Sequence, residues 1–369
     1  MKHPDELRKP RAPESPGRRE FLLGVASASL TSRYLGGARS LRAVSTLGGV
    51  FAANAATTKS LVTPNGDFFI RNHFATPKIS EDKWSLEIVG LVAKPVKLSY
   101  SDLLLASSVR RSVTMECAGN LSGGRGVSTS VWTGLPLGDI LKDAGVTAGA
   151  TTVIFHGADT GEGDGLAAGT HFARAIPIEK AMDSSTLLAY EMGGAPLPAE
   201  HGFPLRALVS GWYGMDSVKW LTRIEISQEP FKGYFQQERY VAVKANGEKQ
   251  AITRMRINSK FLRPLDGEEI RGKSYSIEGV AWAGESKVSK VELRFDGGAW
   301  QTAVLGESPI PLVWTSWSYG WSVPRPAAYT IEVRATDDIG NSQPLARDPE
   351  RRDDYELNAP HRIGVTVKA

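Results

Sequence analysis

The chain has 369 residues, which is long enough for about two domains of ordinary size. Hydrophobic residues make up 41% of the chain and charged residues 23%, as in globular proteins, and no apolar run reaches the roughly 18 residues that a membrane-spanning helix needs. The single cysteine excludes an intramolecular disulfide, a Cys-x-x-Cys-His haem attachment site and an all-cysteine metal cluster. The sequence therefore predicts no membrane span, and any chemistry on the cysteine must use one thiolate.

The net charge of +4 comes from the first 45 residues, which contain nine basic and four acidic side chains. The rest of the chain is therefore almost neutral. A protein that binds nucleic acid is expected to carry a basic patch or stripe in its folded part. Because the basic excess is confined to the start of the chain, the sequence does not indicate nucleic-acid binding.

The basic first stretch also has the elements of an export signal. Arg18 and Arg19 precede the apolar run 21–30, and the small residues Ala-Asn-Ala at 53–55 follow. This combination resembles a twin-arginine export signal with its cleavage site. We therefore expect residues 1–55 to be cleaved after export by the twin-arginine pathway, and the mature protein to be periplasmic. A disordered basic tail is the alternative.

Between residues 61 and 227, strand-like runs alternate with turn residues and a few helical patterns. Strands are predicted at residues 84–89, 112–117, 152–156, 187–192, 205–210 and 218–227. Helices are predicted at residues 99–105, 136–144 and 178–182. Ser99 or Ser101 would cap the start of the first helix, and Gly145 would end the second. The pattern predicts a mixed α+β domain.

The pattern changes after residues 231–250, a polar, aromatic and irregular stretch that is typical of a linker. Beyond it the sequence predicts strands only, at residues 275–282, 288–295, 300–305, 314–323, 329–336 and 363–367. Short strands that follow one another at this spacing, with Asp-rich and Gly-rich turns between them, are typical of an immunoglobulin-like β-sandwich. We place the domain boundary near residue 250.

The segment with the most chemical information is Met115-Glu116-Cys117-Ala118-Gly119-Asn120, at the end of a predicted strand. A lone cysteine is more often a small buried hydrophobe than a ligand. Here small residues follow the cysteine at once and allow close backbone approach, and the loop 122–126 is polar and rich in glycine. These features favour a ligand role for Cys117.

Five blocks, in order and with compatible spacing, resemble the sulfite oxidase family of molybdenum enzymes. The blocks are Phe68-Phe69-Ile70-Arg71-Asn72-His73, Cys117-Ala118-Gly119-Asn120, Ala189-Tyr190-Glu191-Met192 with Pro196-Leu197-Pro198, His201-Gly202-Phe203-Pro204-Leu205-Arg206, and Ser217-Val218-Lys219-Trp220. The resemblance implies a sulfite-oxidase-type molybdopterin-binding catalytic domain over residues 56–250. It implies an all-β immunoglobulin-like dimerisation domain over residues 251–369. We expect no haem in this chain, because it contains no haem motif.

The resemblance implies a Mo-molybdopterin cofactor, with Cys117 as the protein ligand of the molybdenum. By position-by-position match, the residues that would bind the cofactor are Asn72, His73, Cys117, Asp159, His201, Arg206, Ser217, Val218 and Lys219. Asp159 could instead be an ordinary turn aspartate, and His201 could simply cap a loop. Arg206 interrupts an apolar strand, a setting in which arginine usually has an anion or carboxylate partner.

The substrate side is implied by two motif positions. Arg71 matches the arginine with which the family binds its oxyanion, and Tyr240 stands where the family places a tyrosine beside the reacting oxygen. An aromatic residue in a linker is more often used for packing than for catalysis. Both residues are therefore hypotheses for catalysis.

Two departures from the family pattern concern cations. Relatives carry an arginine shortly after the Cys-Ala-Gly-Asn turn, whereas this chain has Leu121 and Ser122 there and reaches an arginine only at Arg125. The tryptophan-rich strand 314–321, in which several relatives have another arginine, has none here. A dianion such as sulfite prefers several converging cations. The departures therefore weaken the expectation of sulfite as substrate, although Arg125 could fold back into the site.

The resemblance implies a molybdenum oxidoreductase that oxidises sulfite to sulfate by oxygen-atom transfer and passes electrons to an external c-type cytochrome. A sulfur dehydrogenase subunit that acts on a different sulfur substrate is the alternative within the enzyme class. The non-enzyme alternative is an exported binding or adhesion protein, which requires Cys117, His201 and Arg206 all to be structural. A homodimer that pairs through the second domain is implied by the resemblance as well.

Overall fold

The computed structural model describes residues 61–163, 166–307 and 309–369. The predicted export signal lies outside the described residues. Strands up to residue 251 form one group of sheets and strands from residue 258 form another; we call these the N-terminal part and the C-terminal part. In the described part of the chain, no helix is long and apolar enough to cross a membrane.

The N-terminal part is built mainly from strands. They are Ser85–Gly90 (β1), Val96–Ser99 (β2), Val109–Glu116 (β3), Val127–Pro136 (β4), Thr152–Gly163 (β5), Leu166–Pro177 (β6), Thr186–Met192 (β7), Ala195–Pro196 (β8), Arg206–Val209 (β9), Leu221–Ser227 (β10), Val241–Val243 (β11) and Lys249–Ala251 (β12). One sheet has the order β2-β1-β10-β5-β6, and a second has the order β3-β4-β7-β8 with β9 also paired to β7. The pairing of β1 with β10 is parallel.

The helices begin and end at the residues that the sequence indicates. Helix α1 spans Tyr100–Leu105 behind a capping box in which Ser99 and Asp102 bond each other's backbone N–H groups. Helix α2 spans Leu137–Ala144 and ends at Gly145, whose φ of 70° is readily adopted by glycine. Helix α3 spans Ile178–Met182. With these three short α-helices in the described residues, the fold is mostly β, with less helix than the α+β prediction suggests.

Strands β4 and β6 were not expected from the sequence. β4 is buried on both faces along most of its length, including its polar start at Ser128–Ser130. A strand buried on both faces shows no alternation of polar and apolar residues, so the usual pattern is missing. The predicted linker is also more regular than expected: it contains a π-helical turn, Phe235–Arg239, and the β11–β12 hairpin.

The C-terminal part is all β. Its strands are Asn258–Arg263 (β13), Glu269–Arg271 (β14), Ser274–Trp282 (β15), Val288–Phe295 (β16), Gln301–Thr302 (β17), Val304–Leu305 (β18), Thr315–Ser322 (β19), Ala328–Asp337 (β20) and His361–Lys368 (β21). Two sheets, β13-β15-β19-β18 and β14-β21-β20-β16-β17, contribute side chains to a common apolar core. The immunoglobulin-like assignment and the domain boundary stay predictions.

A segment between β20 and β21 returns to the N-terminal part. We call residues 351–359 the return segment. Its Arg352 N–H donates to the Val243 carbonyl (2.8 Å), and its Asp353 carboxylate accepts from the Val243 N–H (2.8 Å). The Glu356 N–H donates to the carbonyl of Ala118 (2.8 Å). The described residues accordingly belong to one compact unit.

Candidate active site

Cys117 follows directly after β3, whose last four residues are all buried, so the chain delivers the thiol into the interior. The turn that follows is closed by hydrogen bonds. The Cys117 N–H donates to the Gly126 carbonyl (2.8 Å), and the Gly126 N–H donates to Oδ1 of Asn120 (2.9 Å). A Cβ on Gly126 would lie 3.0 Å from Oδ1 of Asn120 and 3.3 Å from Cβ of Cys117, so any larger residue would crowd this turn. Burial raises the pKa of the Cys117 thiol.

Cys117 lines a concave pocket that is open to solvent on one side, with about 670 Å³ of empty space when its mouth is included. The pocket brings together nearly all of the residues that the sequence singles out. Those that line it are Arg71, Asn72, His73, Cys117, Asp159, His201, Arg206, Ser217, Val218, Lys219 and Tyr240. They come from separate strands and loops of the N-terminal part, so the pocket exists only in the folded chain.

Arg206 begins β9 and is 3% exposed. Its guanidinium donates to the carbonyls of His201 (3.0 Å) and Ser217 (2.9 Å), and it lies 5.1 Å from the ring centroid of Trp132. Within residues 61–163, 166–307 and 309–369, no carboxylate pairs with it. Burial lowers the pKa of Arg206 to about 9, which still leaves it protonated at neutral pH. Its partners are carbonyls, the Met115 thioether and the Trp132 ring, and none of them carries the negative charge that a buried cation calls for; an anion in the pocket would supply it.

His201 is held beside Arg206 by a short 3₁₀ turn. Its ring Nε2 lies 3.1 Å from the Asn65 carbonyl, and Gly202 follows with a φ of 111°. Burial and the neighbouring charge of Arg206 lower the pKa of His201 to about 4. The imidazole is therefore neutral at physiological pH and acts as a hydrogen-bonding group.

Lys219 is a second cation on the same wall of the pocket; it is half-buried, whereas Arg206 is fully buried. Its Nζ donates to the Asn72 side-chain oxygen and to the Glu200 carbonyl (2.9 Å), and it lies 4.4 Å from the ring centroid of Trp220. Burial and the charge of Arg206 lower the pKa of Lys219 to about 7. The pocket therefore destabilises the charged form of the lysine, and a bound anion would stabilise it again.

Asp159 faces the pocket from β5 and is 4% exposed. Its Oδ1 is buried and has no hydrogen-bond partner among the described residues. Burial raises the pKa of Asp159 to about 6. A buried carboxylate oxygen without a donor is unusual in a native protein. The orphaned oxygen is explained if a ligand in the pocket supplies the donor.

Ser217 and Val218 shape the wall rather than present functional groups. The Ser217 hydroxyl oxygen accepts from the Val209 N–H (3.0 Å), and the Val218 carbonyl accepts from the Ala207 N–H (2.9 Å). Val218 is 1% exposed. The Ser217 carbonyl is the group that contacts Arg206, so the role of this segment is to hold the guanidinium in position.

Tyr240 lies directly after the π-helical turn and is 5% exposed. Its hydroxyl is 2.6 Å from Nε2 of His73, whose ring stacks on Phe172 at a centroid distance of 5.2 Å. Burial raises the pKa of Tyr240 and lowers that of His73 to about 3. Both groups are therefore neutral, and the proton between them remains in a hydrogen bond. The buried Arg174 guanidinium supports the tyrosine ring from 5.7 Å.

Arg71 and Arg125 differ in their relation to the pocket. Arg71 is exposed and lines it, with its guanidinium donating to the Asn72 carbonyl (3.2 Å). Arg125 is also exposed but does not line the pocket. Its charge instead affects Lys260 of the C-terminal part. Burial and the charge of Arg125 lower the pKa of Lys260 to about 8. The expectation that Arg125 folds back into the site is therefore not met.

Two side chains near the site were missed by the sequence interpretation. The charge of Arg239 helps to lower the pKa of His73, which places this cation near the pocket. Tyr355, in the return segment, packs on Tyr240 with ring centroids 5.3 Å apart, and a Cβ added at Gly119 would lie 3.9 Å from its ring. Arg239 could have been found as the residue before Tyr240. Tyr355 gave no signal, because only the folded chain brings the return segment to the cysteine turn.

The donor set suits a metal that arrives with its own organic ligand. Among the described residues, no group of three or more His, Cys, Asp or Glu side chains could hold a metal ion. A metal bound at Cys117 would therefore take its other ligands from a cofactor. The pocket supplies one thiol, cations for a phosphate and the orphaned Asp159 oxygen for a donor. These residues fit a phosphate-bearing pterin that carries molybdenum.

Family models account for most of the described chain. The model of the oxidoreductase molybdopterin binding domain matches residues 73–235, and that of the Mo-co oxidoreductase dimerisation domain matches residues 249–352. Human mitochondrial sulfite oxidase is 33% identical over 345 residues, a match that covers 84% of this chain and 62% of that protein. The chain belongs to the sulfite oxidase family of molybdopterin-dependent oxidoreductases. Mo-molybdopterin is accordingly its cofactor.

Further relatives show how widely this architecture is used. The nitrate reductase [NADH] 1 of Arabidopsis thaliana is 33% identical over 331 residues, covering 77% of this chain and 36% of that protein. The crystal structure of the sulfane dehydrogenase SoxCD from Paracoccus pantotrophus matches with a TM-score of 0.74 and 25% identity over 85% of both chains. The chain spans less than two thirds of the length of the sulfite oxidase and nitrate reductase relatives. Tyr240 lies between the two matched ranges, so its assignment depends on its position in the pocket.

Proposed function

We propose that this protein oxidises sulfite to sulfate. The observation that carries the proposal is that Arg71 and Tyr240 line the same pocket as Cys117. A cation, a neutral hydroxyl donor and a thiol at one site are the groups that an oxyanion and a molybdenum cofactor require. The 33% identity to human sulfite oxidase over 84% of the chain supports the same substrate class.

The reaction sets clear tasks for the side chains. Sulfite gains one oxygen atom from water and gives up two electrons, and the water releases its two protons. When bound, the molybdenum cofactor supplies the oxygen-atom transfer and takes up the electrons. Arg71 holds the anion at the exposed side of the pocket by charge-assisted hydrogen bonds. Tyr240 donates its hydroxyl proton in a hydrogen bond to an oxygen of the anion and orients it, which requires it to leave His73 or to share its contact.

The remaining pocket residues hold the cofactor. Cys117 binds the metal as a thiolate, a soft ligand suited to a metal that changes oxidation state. Arg206 and Lys219 neutralise the phosphate, which relieves the burial of both cations. The free Oδ1 of Asp159 accepts a hydrogen bond from the pterin. His201 and Asn72 add neutral polar contacts.

We further propose that electrons leave one at a time to a separate c-type cytochrome in the periplasm. The chain contains one cysteine, so it cannot attach a c-type haem of its own through two cysteines. The predicted twin-arginine signal supports export of an already folded, cofactor-loaded protein. The match to the dimerisation domain supports a homodimer that pairs through the C-terminal part, which we regard as an immunoglobulin-like sandwich.

A sulfur dehydrogenase that acts on a substrate other than free sulfite is the second candidate. The likeness to the Paracoccus sulfane dehydrogenase covers 85% of both chains. In addition, Arg125 lies outside the pocket, and the aromatic ring of Tyr355 packs beside Tyr240. Fewer converging cations and more aromatic surface suit a less highly charged sulfur group.

Steady-state kinetics with cofactor-loaded protein separates the candidates. Purified protein with about one molybdenum per chain is assayed with sulfite and with a sulfane-sulfur donor such as thiosulfate, in each case with a c-type cytochrome or ferricyanide as the electron acceptor. We expect turnover with sulfite. If a fully loaded sample is inactive on sulfite and active on the sulfane donor, sulfite oxidation is excluded and the second candidate is supported. Cys117→Ser serves as the control without a metal ligand.

A further inference from the structure

Glu116 is the last residue of β3 and directly precedes Cys117. It is 2% exposed, yet it accepts three hydrogen bonds from neutral donors. Asn120 Nδ2 donates at 3.0 Å, Asn258 Nδ2 at 3.2 Å, and Trp282 Nε1 at 2.8 Å. Burial of a carboxylate destabilises the fold unless hydrogen bonds satisfy its oxygens. The three bonds to Glu116 therefore indicate that this side chain does more than fill space.

The donors cannot be rearranged to suit another side chain. Oδ1 of Asn120 already accepts from the Gly126 N–H (2.9 Å), and Oδ1 of Asn258 accepts from the Ser259 N–H (2.9 Å) and from Gln343 (3.2 Å). Rotating either amide would break these bonds. The Trp282 indole can only donate. Position 116 therefore requires a side chain that only accepts, and a glutamine would point an N–H at a donor.

Two of the three donors belong to the C-terminal part, on β13 and β15. The same part also contacts the loop beyond the cysteine. The Glu356 N–H donates to the Ala118 carbonyl (2.8 Å), the Ser122 hydroxyl donates to the Ala359 carbonyl (2.7 Å), and Lys260 Nζ donates to the Gly124 carbonyl (3.3 Å). The loop that presents the thiol is thus bonded to the C-terminal part on both sides of Cys117.

We propose that Glu116 is a positioning residue for Cys117, through which Asn258 and Trp282 of the C-terminal part fix the orientation of the thiol. In this arrangement the C-terminal part has a role within each chain that is separate from dimerisation. The consequence for molybdenum binding depends on the ligand role proposed for Cys117. The restraint on the cysteine loop does not depend on it, so the two can be tested separately.

The first test uses protein without cofactor and the fact that Cys117 is the only cysteine in the chain. The rate of alkylation by iodoacetamide is compared among wild type, Glu116→Gln, Trp282→Phe and Trp317→Phe. Trp317 is the matched control, because it is a buried tryptophan of the C-terminal part whose Nε1 has no partner among the described residues. We expect alkylation of Glu116→Gln to be about tenfold faster than wild type, with a smaller increase in Trp282→Phe and none in Trp317→Phe.

Thermal unfolding of all four proteins shows whether a faster reaction reflects the loop or the whole fold. If Glu116→Gln does not fold, the comparison of Trp282→Phe with Trp317→Phe still decides. Equal alkylation rates in these two variants, whether slow or fast, would overturn the proposal. Acceleration in Trp282→Phe alone supports it.

The second test uses cofactor-loaded protein. We expect Trp282→Phe and Glu116→Gln to shift the visible absorption of the thiolate–molybdenum bond and to lower kcat more than they change KM, whereas Trp317→Phe leaves both as in wild type. An unchanged spectrum in Glu116→Gln would contradict the positioning role. If wild type binds molybdenum but does not oxidise sulfite, the substrate proposal is wrong. The alkylation rates and the absorption spectra still test the role of Glu116 in that case.

Discussion

The lowered pKa of Lys219 leads to a quantitative prediction for protein prepared without cofactor. Burial and Arg206 lower the pKa of this lysine from 10.5 to about 7. Each pKa unit corresponds to about 1.4 kcal/mol, so the charged lysine costs the cofactor-free protein roughly 5 kcal/mol at neutral pH. Between pH 7 and pH 10.5 the unfolded chain binds more protons at this residue than the folded chain. The contribution of Lys219 to the free energy of unfolding therefore rises with pH over this window.

The comparison of wild type with Lys219→Met isolates this contribution. Methionine has a similar length and no charge, so titrating groups away from the pocket cancel in the difference between the two proteins. The pocket groups on which the charge of Lys219 acts are Asp159, His201 and His73, whose pKa values of about 6, 4 and 3 lie below pH 7. From pH 7 to pH 9, we expect the free energy of unfolding of wild type to increase by about 2 to 3 kcal/mol relative to Lys219→Met. Urea denaturation of both cofactor-free proteins at several pH values measures it. Pyrophosphate should stabilise wild type at pH 7 and reduce the slope, because a bound anion raises the pKa of the lysine again.

Parallel pH profiles for the two proteins would refute the reasoning, since they would mean that Lys219 titrates alike in the folded and unfolded states. A pyrophosphate effect of equal size in wild type and Lys219→Met would show that the anion binds elsewhere. Arg206→Met provides a second comparison: it removes the neighbouring cation, so the pKa of Lys219 should rise and the slope should become smaller.

Three further predictions concern the loaded enzyme. Cys117→Ser should lose the bound molybdenum, measured by elemental analysis, because a neutral hydroxyl is a poor replacement for a thiolate; full loading and full activity would exclude the ligand assignment. Tyr240→Phe should lower kcat/KM for sulfite by roughly tenfold to a hundredfold through loss of one hydrogen-bond donor, while an unchanged value would make Tyr240 a packing residue. Arg71→Gln should raise KM for sulfite about tenfold and weaken its dependence on ionic strength, and a pure decrease of kcat would argue against anion binding by Arg71.

The cysteine site was predictable to a large extent because its residues form local motifs. The Cys117 turn, the Arg71-Asn72-His73 block and the segment 201–206 are each contiguous in sequence, and the structure places them around one pocket. Arg125 was not predictable. Whether its loop turns toward the pocket depends on two hydrogen bonds with the distant C-terminal part: Ser122 donates to the Ala359 carbonyl, and the Gly124 carbonyl accepts from Lys260.

Glu116 illustrates the same limit more sharply. It stands in the most informative motif of the chain, yet its buried partners Asn258 and Trp282 are 142 and 166 residues away. No local pattern reports such a contact. The fold shows a comparable division: β15, β16 and β20 have clear strand patterns, whereas β4, buried on both faces, does not alternate and was missed.

The return segment has a consequence for attempts to recombine these proteins. Its backbone forms hydrogen bonds with Val243 and Ala118, and its Tyr355 packs on Tyr240, although in the sequence it lies within the C-terminal part, between β20 and β21. A chimera that joins the first 250 residues to the second half of a relative would replace the pieces that cover its own cysteine turn. We expect such hybrids to work only when the turn and the return segment are taken from the same parent.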